Sequence, residues 1–310
     1  MKKRVSVLLV LTTLLCLLAG CDSADYKKAD EAFVAGNYQE AAAMFEALGD
    51  YEDSVARAVE SKYLYAEDLL EAGAYADAIA AYEALSGYKD AAEKIEEAKT
   101  LLMYETYADV FAALTQGVWF YEATSVNAVN VISFTQEEAK IKQIYYDGNG
   151  PHTTAENACA YVVDGENVTV TLADKSELQI AYTMDGGAVT LAEGYFTAEQ
   201  VEEGLQGYWG LKDISYNAIT GFVTSEYIYN FEDGKVTFES ATLAYGSRSQ
   251  YYYYGPYEGT YKVTENGLEV EARNEWQFGF IISEGKVAMC RCGKKLTTYE
   301  GFKGKNGFSF

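Results

Sequence analysis

Histidine occurs once in 310 residues, proline twice and cysteine five times, and Lys and Arg together number 24 against 47 Asp and Glu. Each scarcity removes a class of function. The single histidine, His152, follows Gly148-Asn149-Gly150-Pro151 with no serine elbow nearby, so a His-activated nucleophile is not expected. Gly-x-Ser-x-Gly, phosphate-loop, dinucleotide and His-Glu-x-x-His motifs are all missing. Asp147-Gly148-Asn149 begins like a calcium loop, but Pro151 takes the next ligand position and Ala158 the closing glutamate position. Carboxylates are too abundant for one acid–base pair to stand out. The chain is therefore read as no enzyme, with no cofactor and no metal. A formal charge of −23 repels polyanions, which excludes nucleic acid as a partner. No apolar run reaches the roughly 20 residues that cross a bilayer. The longest, Val5 to Leu18, has 14. Scarce proline beside 28 tyrosines favours ordered structure.

That short run has a context of its own. Lys2, Lys3 and Arg4 precede it, and Leu18-Ala19-Gly20-Cys21 follows, giving the charged, apolar and small-residue order of a cleaved secretion signal. The stretch resembles the lipobox of bacterial lipoproteins. The resemblance implies that residues 1–20 are removed, that Cys21 is lipidated, and that residues 21–24 tether the protein to the outer face of a bacterial membrane. Two or more acyl chains hold such an anchor stably. Loss of residues 1–20, which carry three positive charges and no acids, takes the formal charge from −23 to −26. Cys16 would leave with the signal, so Cys159, Cys290 and Cys292 remain and allow at most one internal disulfide. Cys290 and Cys292 lie two apart on an expected strand, hence on one face. They read as a reactive or metal-binding pair, as small buried residues, or as partners one of which bonds Cys159.

From residue 25 to about 116 the apolar residues recur at helical spacing. An offset of 37 places Tyr26 on Tyr63, Ala29 on Ala66, Phe33 on Leu70, Gly36 on Gly73 and Tyr38 on Tyr75. It continues with Ala41 on Ala78, Phe45 on Tyr82, Leu48 on Leu85, Tyr51 on Tyr88 and Asp53 on Asp90. The logic is a helical hairpin used twice, with Gly36 and Gly73 at the turns. Gly-x-Tyr-x-x-Ala-x-x-x-Tyr/Phe-x-x-Leu, from Gly36 to Leu48 and Gly73 to Leu85, is similar to the tetratricopeptide repeat. The chain departs from that family in lacking its early Trp-x-x-Leu, in having Asp53 and Asp90 at the closing proline, and in a period of 37 rather than about 34. An Asp50 cap is expected to start the second pair, and residues 88–114 read as one long helix. The resemblance implies a groove that binds a partner protein, with Tyr26, Phe33, Tyr63 and Leu70 as candidate contacts. The bland alternative is a spacer or packing element.

At Gly117 the pattern turns to alternation with turn signals, the mark of an all-β region. It too looks duplicated. Gln116-Gly117-Val118-Trp119 returns as Gln206-Gly207-Tyr208-Trp209, and Tyr161, Val163, Val168 and Val170 fall on Tyr261, Val263, Leu268 and Val270 at an offset of 100. Gly187, Val189 and Leu191 likewise fall on Gly285, Val287 and Met289. Two β domains, 117–202 and 203–310, are expected, joined by a helical Thr197–Leu205. The Gly-x-Trp openings followed by a meander are similar to lipocalin-like domains, and Trp119 and Trp209 read as packing residues. The candidate ligand contacts are Tyr251, Tyr252, Tyr253, Tyr254 and Tyr257, because alternation must expose some of these rings, and exposed rings stack on sugars or peptide segments. Arg291, Lys294, Lys295, Lys303 and Lys305 form a basic patch near the end of an acidic chain. They read either as a contact for an anionic polymer or headgroup, or as lysines that solubilise an edge strand.

The expectation is thus an α+β multidomain protein, a helical-hairpin repeat stack followed by two similar all-β domains of small-barrel or sandwich type. It is lipid-anchored and extracytoplasmic, and it acts as a protein-interaction scaffold through its helices. The alternative is a ligand-binding lipoprotein that recognises a glycan or peptide through its Tyr-rich strand.

Overall fold

Small and aromatic residues repeated on one face let short helices approach closely, and the N-terminal half follows this rule. The computed structural model describes residues 22–85, 87–147, 150–217, 221–245, 250–272, 278–291 and 294–298. Residues 1–20 and Cys21, Cys292, Lys303 and Lys305 lie outside them. The chain is α+β and divides into two compact units, Met1–Thr106 and Tyr107–Phe310.

The first unit holds helices α1 (residues 22–34), α2 (Tyr38–Leu48), α3 (Ser54–Glu71), α4 (Tyr75–Glu83) and α5 (Ala91–Thr106). From α2 onward each helix packs on the next. One core gathers Ala29, Ala41, Phe45 and Ala58, and a second gathers Tyr63, Ala66, Ala78, Tyr82, Leu85 and Ala91. The 37-residue offset reappears as geometry. The Tyr26 hydroxyl donates to Asp53 Oδ1 at 2.5 Å, and that of Tyr63 to Asp90 Oδ1 at 2.5 Å. Tyr26 meets the Phe45 ring edge-on at 5.5 Å, and Tyr63 meets that of Tyr82 at 5.8 Å. Gly36 and Gly73 turn the chain at φ +80° and +77°, with open space where a Cβ would sit, so backbone conformation and not crowding calls for glycine there.

Two local expectations are corrected. Helix α3 starts at Ser54 with Asp53, not Asp50, at the N-cap. The Asp53 side chain makes no capping bond and instead accepts the Tyr26 hydroxyl. The long helix over 88–114 is broken. Helix α5 ends at Thr106, Tyr107 takes non-helical angles (φ −113°, ψ 28°), and α6 (Ala108–Leu114) belongs to the second unit. Val110, Phe111 and Leu114 of α6 are buried there, with Phe111 against the Tyr161 ring at 5.6 Å.

The second unit is antiparallel throughout. Its first strands are β1 (Val118–Glu122), β2 (Ala128–Phe134), β3 (Ala139–Asp147), β4 (Gly150–Thr153) and β5 (Asn157–Cys159). Next come β6 (Tyr161–Val163), β7 (Asn167–Thr171), β8 (Glu177–Asp185), β9 (Ala188–Leu191) and β10 (Tyr195–Thr197), then helix α7 (Ala198–Leu205). The remainder comprises β11 (Gly207–Asn217), β12 (Gly221–Glu232), β13 (Lys235–Ala244), β14 (Gln250–Thr264) and β15 (Gly267–Ala272). The last are β16 (Phe278–Ser283), β17 (Lys286–Arg291), β18 (Lys294–Lys295) and β19 (Thr297–Thr298). They form sheets in the orders β10-β1-β2-β3-β4 with β5 on β3, β6-β7-β8-β9, β15-β14-β13-β12-β11-β19, and β16-β17-β18. None of the four closes on itself among the described residues.

The duplicated motifs fold alike locally but assemble differently. Tyr161 pairs with Val170 and Tyr261 with Val270, while Val163 pairs with Val168 and Val263 with Leu268. Yet residues 117–202 and 203–310 do not form separate bodies. One core takes Phe120, Val129, Val131, Ile144 and Tyr146 from the first segment together with Trp209, Tyr229, Phe231, Phe278 and Phe280 from the second. Phe120 and Phe280 meet edge-on at 5.1 Å. Phe278 of β16 also meets Tyr229 of β12 edge-on at 4.6 Å, so β16 packs on strands of both segments. The two tryptophans are both buried, but Trp209 donates from Nε1 to the Leu205 carbonyl at 2.7 Å while Trp119 Nε1 has no partner.

Candidate functional site

Directly opposed residues of an antiparallel pair share a face, so the register fixes which tyrosines stand together. Tyr229, Phe231, Phe238 and Val236 lie on the face of the β15-to-β19 sheet that enters the core. On that face, further along the strands, one row contains Leu211, Tyr227, Ser240 and Tyr254. The next contains Asp213, Ser225, Thr242 and Tyr252. The core stops short of this end. Tyr252 and Tyr254 are 41% and 48% exposed, although they continue the buried face.

Tyr257 joins the same face through a defect. It lies three positions after Tyr254, an odd offset that on a regular strand would send the rings to opposite sides. A bulge sets Gly255 and Pro256 against the lone Glu239, so Phe238 pairs with Tyr257 and Ser240 with Tyr254. Gly255 sits at φ +103°, and a Cβ there would come within 2.5 Å of the Phe238 carbonyl oxygen, so glycine is required. Tyr257 is half-buried and stacks on Phe238 at 6.0 Å; Phe238 in turn stacks on Tyr229 at 5.0 Å and on Tyr227 at 6.3 Å. The result is an aromatic floor of four rings, with the two exposed rings of Tyr254 and Tyr252 further along the same face.

Polar groups surround it. Ser225 Oγ and Thr242 Oγ1 are hydrogen-bonded at 3.1 Å. Lys294 donates to Asp213 Oδ1 at 3.2 Å. The Arg291 guanidinium lies over Tyr227 at 5.1 Å from the ring centroid and over Tyr229 at 5.7 Å. Tyr253 points to the other face, and its hydroxyl donates to Glu239. It is half-buried. The side chain of Tyr251 lies outside the described residues. Of the five tyrosines singled out, the structure therefore brings Tyr252, Tyr254 and Tyr257 to one face and sends Tyr253 to the other. Sequence reasoning missed Tyr227, Phe238 and Arg291 as members of the floor; only the register reveals them.

The candidate contacts of the helical half pack against its two cores. Tyr63 is 5% exposed and belongs to the second core, with Leu70 packed against it. Tyr26 and Phe33 pack on the first core, where the Arg57 guanidinium covers the Phe33 ring at 4.0 Å and Arg57 pairs with Asp30. Tyr63 is buried, whereas Tyr26, Phe33 and Leu70 are half-buried. A cavity of about 340 Å³ does lie between α2 and α3, lined by Phe45, Val55, Val59 and the Glu46–Lys62 ion pair.

The remaining chemical candidates are quiet. Cys159 and Cys290 are buried, and no disulfide joins them to each other. Burial, then the charge of Glu138, pushes the Cys159 thiol up, which disfavours the reactive thiolate. His152 Nε2 lies 3.0 Å from Asp147 Oδ1, and its ring stacks on Tyr145. Among the described residues no group of three or more His, Cys, Asp or Glu side chains is arranged to hold a metal ion. No described helix is long and apolar enough to cross a membrane. No known family model matches this chain, and no curated protein or solved structure matches it either.

Proposed function

We propose that this is a lipid-anchored, extracytoplasmic binding protein without catalytic activity, which holds a glycan on the aromatic floor of its second unit. The observation that carries the reading is the pair Tyr252 and Tyr254, exposed on the same sheet face that elsewhere is core. A flat ring face with a hydroxyl at its rim suits a sugar, whose apolar C–H face stacks while its hydroxyls hydrogen-bond. Ser225, Thr242 and Asp213 supply further hydrogen-bonding groups on the same face. The anchor rests on the lipobox-like Leu18-Ala19-Gly20-Cys21. Fatty-acid labelling of cells tests it, with incorporation expected for the natural chain and lost in Cys21→Ala. A glycan array probed with the mature protein tests the binding role. Binding is expected to be lost in Tyr252→Ala/Tyr254→Ala while the thermal melt stays in place. An array that stays blank, or retains only peptide ligands, overturns the glycan reading.

A second reading keeps the helical half as a tetratricopeptide-type scaffold for a partner protein. What supports it is the recurrence of the tyrosine–aspartate contacts at 37 residues and the cavity between α2 and α3, beside which Val55 is 57% exposed. Crosslinking in cells with a photoreactive group at position 55 tests it. Capture of a defined protein at that position supports it, and capture only through the β unit sinks it.

A further inference from the structure

Arg291 differs from its best internal comparison. Arg57 and Arg291 both lay a guanidinium on aromatic rings, and both have a buried Nε without a hydrogen-bond partner. Arg57, however, carries Asp30 on Nη2. Among the described residues Arg291 makes no ion pair and no side-chain hydrogen bond, in a chain where acids outnumber bases 47 to 24. Lys294, which faces Arg291 across the β17–β18 pair, is by contrast paired with Asp213. A half-buried guanidinium with idle donors is costly unless an acceptor arrives. Its location is equally specific. It covers Tyr227, which shares a row with Ser240 and the exposed Tyr254, two inter-strand spacings or about 10 Å away.

We infer that the glycan held on this floor is carboxylated, and that Arg291 reads the carboxylate while Tyr254 and Tyr252 carry the adjoining sugar rings. The inference rests on the glycan reading given above. A carboxylate fits because it matches the planar fork of a guanidinium with two parallel hydrogen bonds, and because the ring stacking of Arg291 fixes the fork in advance. The acidic surface of the protein slows the approach of an anion, but that long-range repulsion is screened within about 8 Å at physiological salt, whereas the arginine contact is direct.

The test is calorimetric titration of the mature protein, at physiological salt, with a uronate-containing oligosaccharide and with the same oligosaccharide after its carboxyl groups are reduced to alcohols. The natural chain is expected to prefer the acid at least tenfold. Arg291→Gln is expected to abolish the preference by weakening the acid alone, and Arg291→Lys to restore only part of it because the fork is lost. Equal affinity of the natural chain for both sugars overturns the inference even if the variants unfold, and leaves the glycan floor standing. Binding of neither sugar, together with a blank array, overturns both.

Discussion

The tightest constraint on a single residue is at Gly279. Tyr146 lies so close over its backbone that an added Cβ would come within 2.1 Å of Tyr146 Cε1 and 2.4 Å of Cζ. Tyr146 is contributed by β3 and Gly279 by β16, so this contact locks the two halves of the shared core. Gly279→Ala is expected to destabilise the second unit by at least the roughly 1–3 kcal/mol typical of overpacking. Urea denaturation checks it, and Tyr146→Val in the same chain should recover much of the loss. In the first unit, Tyr63 and Asp90 define a pH window. The Tyr63 hydroxyl, then a backbone bond, holds Asp90 below its ordinary value of 3.8. The same hydrogen bond, then burial, pushes Tyr63 well above its ordinary 10.0. The stabilisation from Asp90 is complete above the ordinary carboxylate range and is lost as pH falls through its lowered folded value. That from Tyr63 is complete below pH 10 and is lost as pH rises through its raised folded value. Thermal melts of Tyr63→Phe against pH should therefore show a lower plateau between these limits and shallower flanks on both sides. Unchanged flanks would show that the pair contributes nothing.

Elements differ in how plainly the chain announces them. Helix α7 is written out locally. Thr197 accepts from the Gln200 amide while the Gln200 side chain accepts from the Thr197 amide, a capping box visible as Thr-x-x-Gln. Behind it, Val201 and Leu205 enter the core and Glu202 accepts from the Val263 amide at 2.7 Å. Thr197→Ala is expected to cost about 1 kcal/mol, within the 0.5–2 kcal/mol range of lost caps, measurable by chemical denaturation. The break at Tyr107 is not written locally. The apolar spacing runs on through Val110, Phe111 and Leu114, and only their burial in the second unit separates α6 from α5. The bulge at Gly255 is of the same kind. A Gly-Pro step signals irregularity, but the residue that faces it, Glu239, lies on another strand.

At the scale of the whole molecule, sequence repetition shows which pieces are alike but not which pieces share a core. The offset of 100 finds equivalent hairpins, yet the burial of Phe120 against Phe280 depends on partners 160 residues apart. Pairwise likeness along the chain carries no information about such distant cover. The consequence is a fragment experiment. Residues 107–310 should give dispersed amide spectra and a single cooperative melt, whereas residues 117–202 alone should not fold. Independent folding of 117–202 would mean that the shared core is dispensable.

Each tyrosine–aspartate bond of the helical unit closes over 27 residues, ten fewer than the period that separates the two copies. The bond is thus finished before the next copy of the pattern begins, and no copy depends on the total number present. Splicing a second version of residues 54–90 behind Asp90 would leave both existing bonds untouched and create a third. Copy number is in this sense a dial. The helical segment can lengthen in steps of 37 residues by unequal recombination or by design, while the sheet that bears the exposed rings inherits an unaltered sequence.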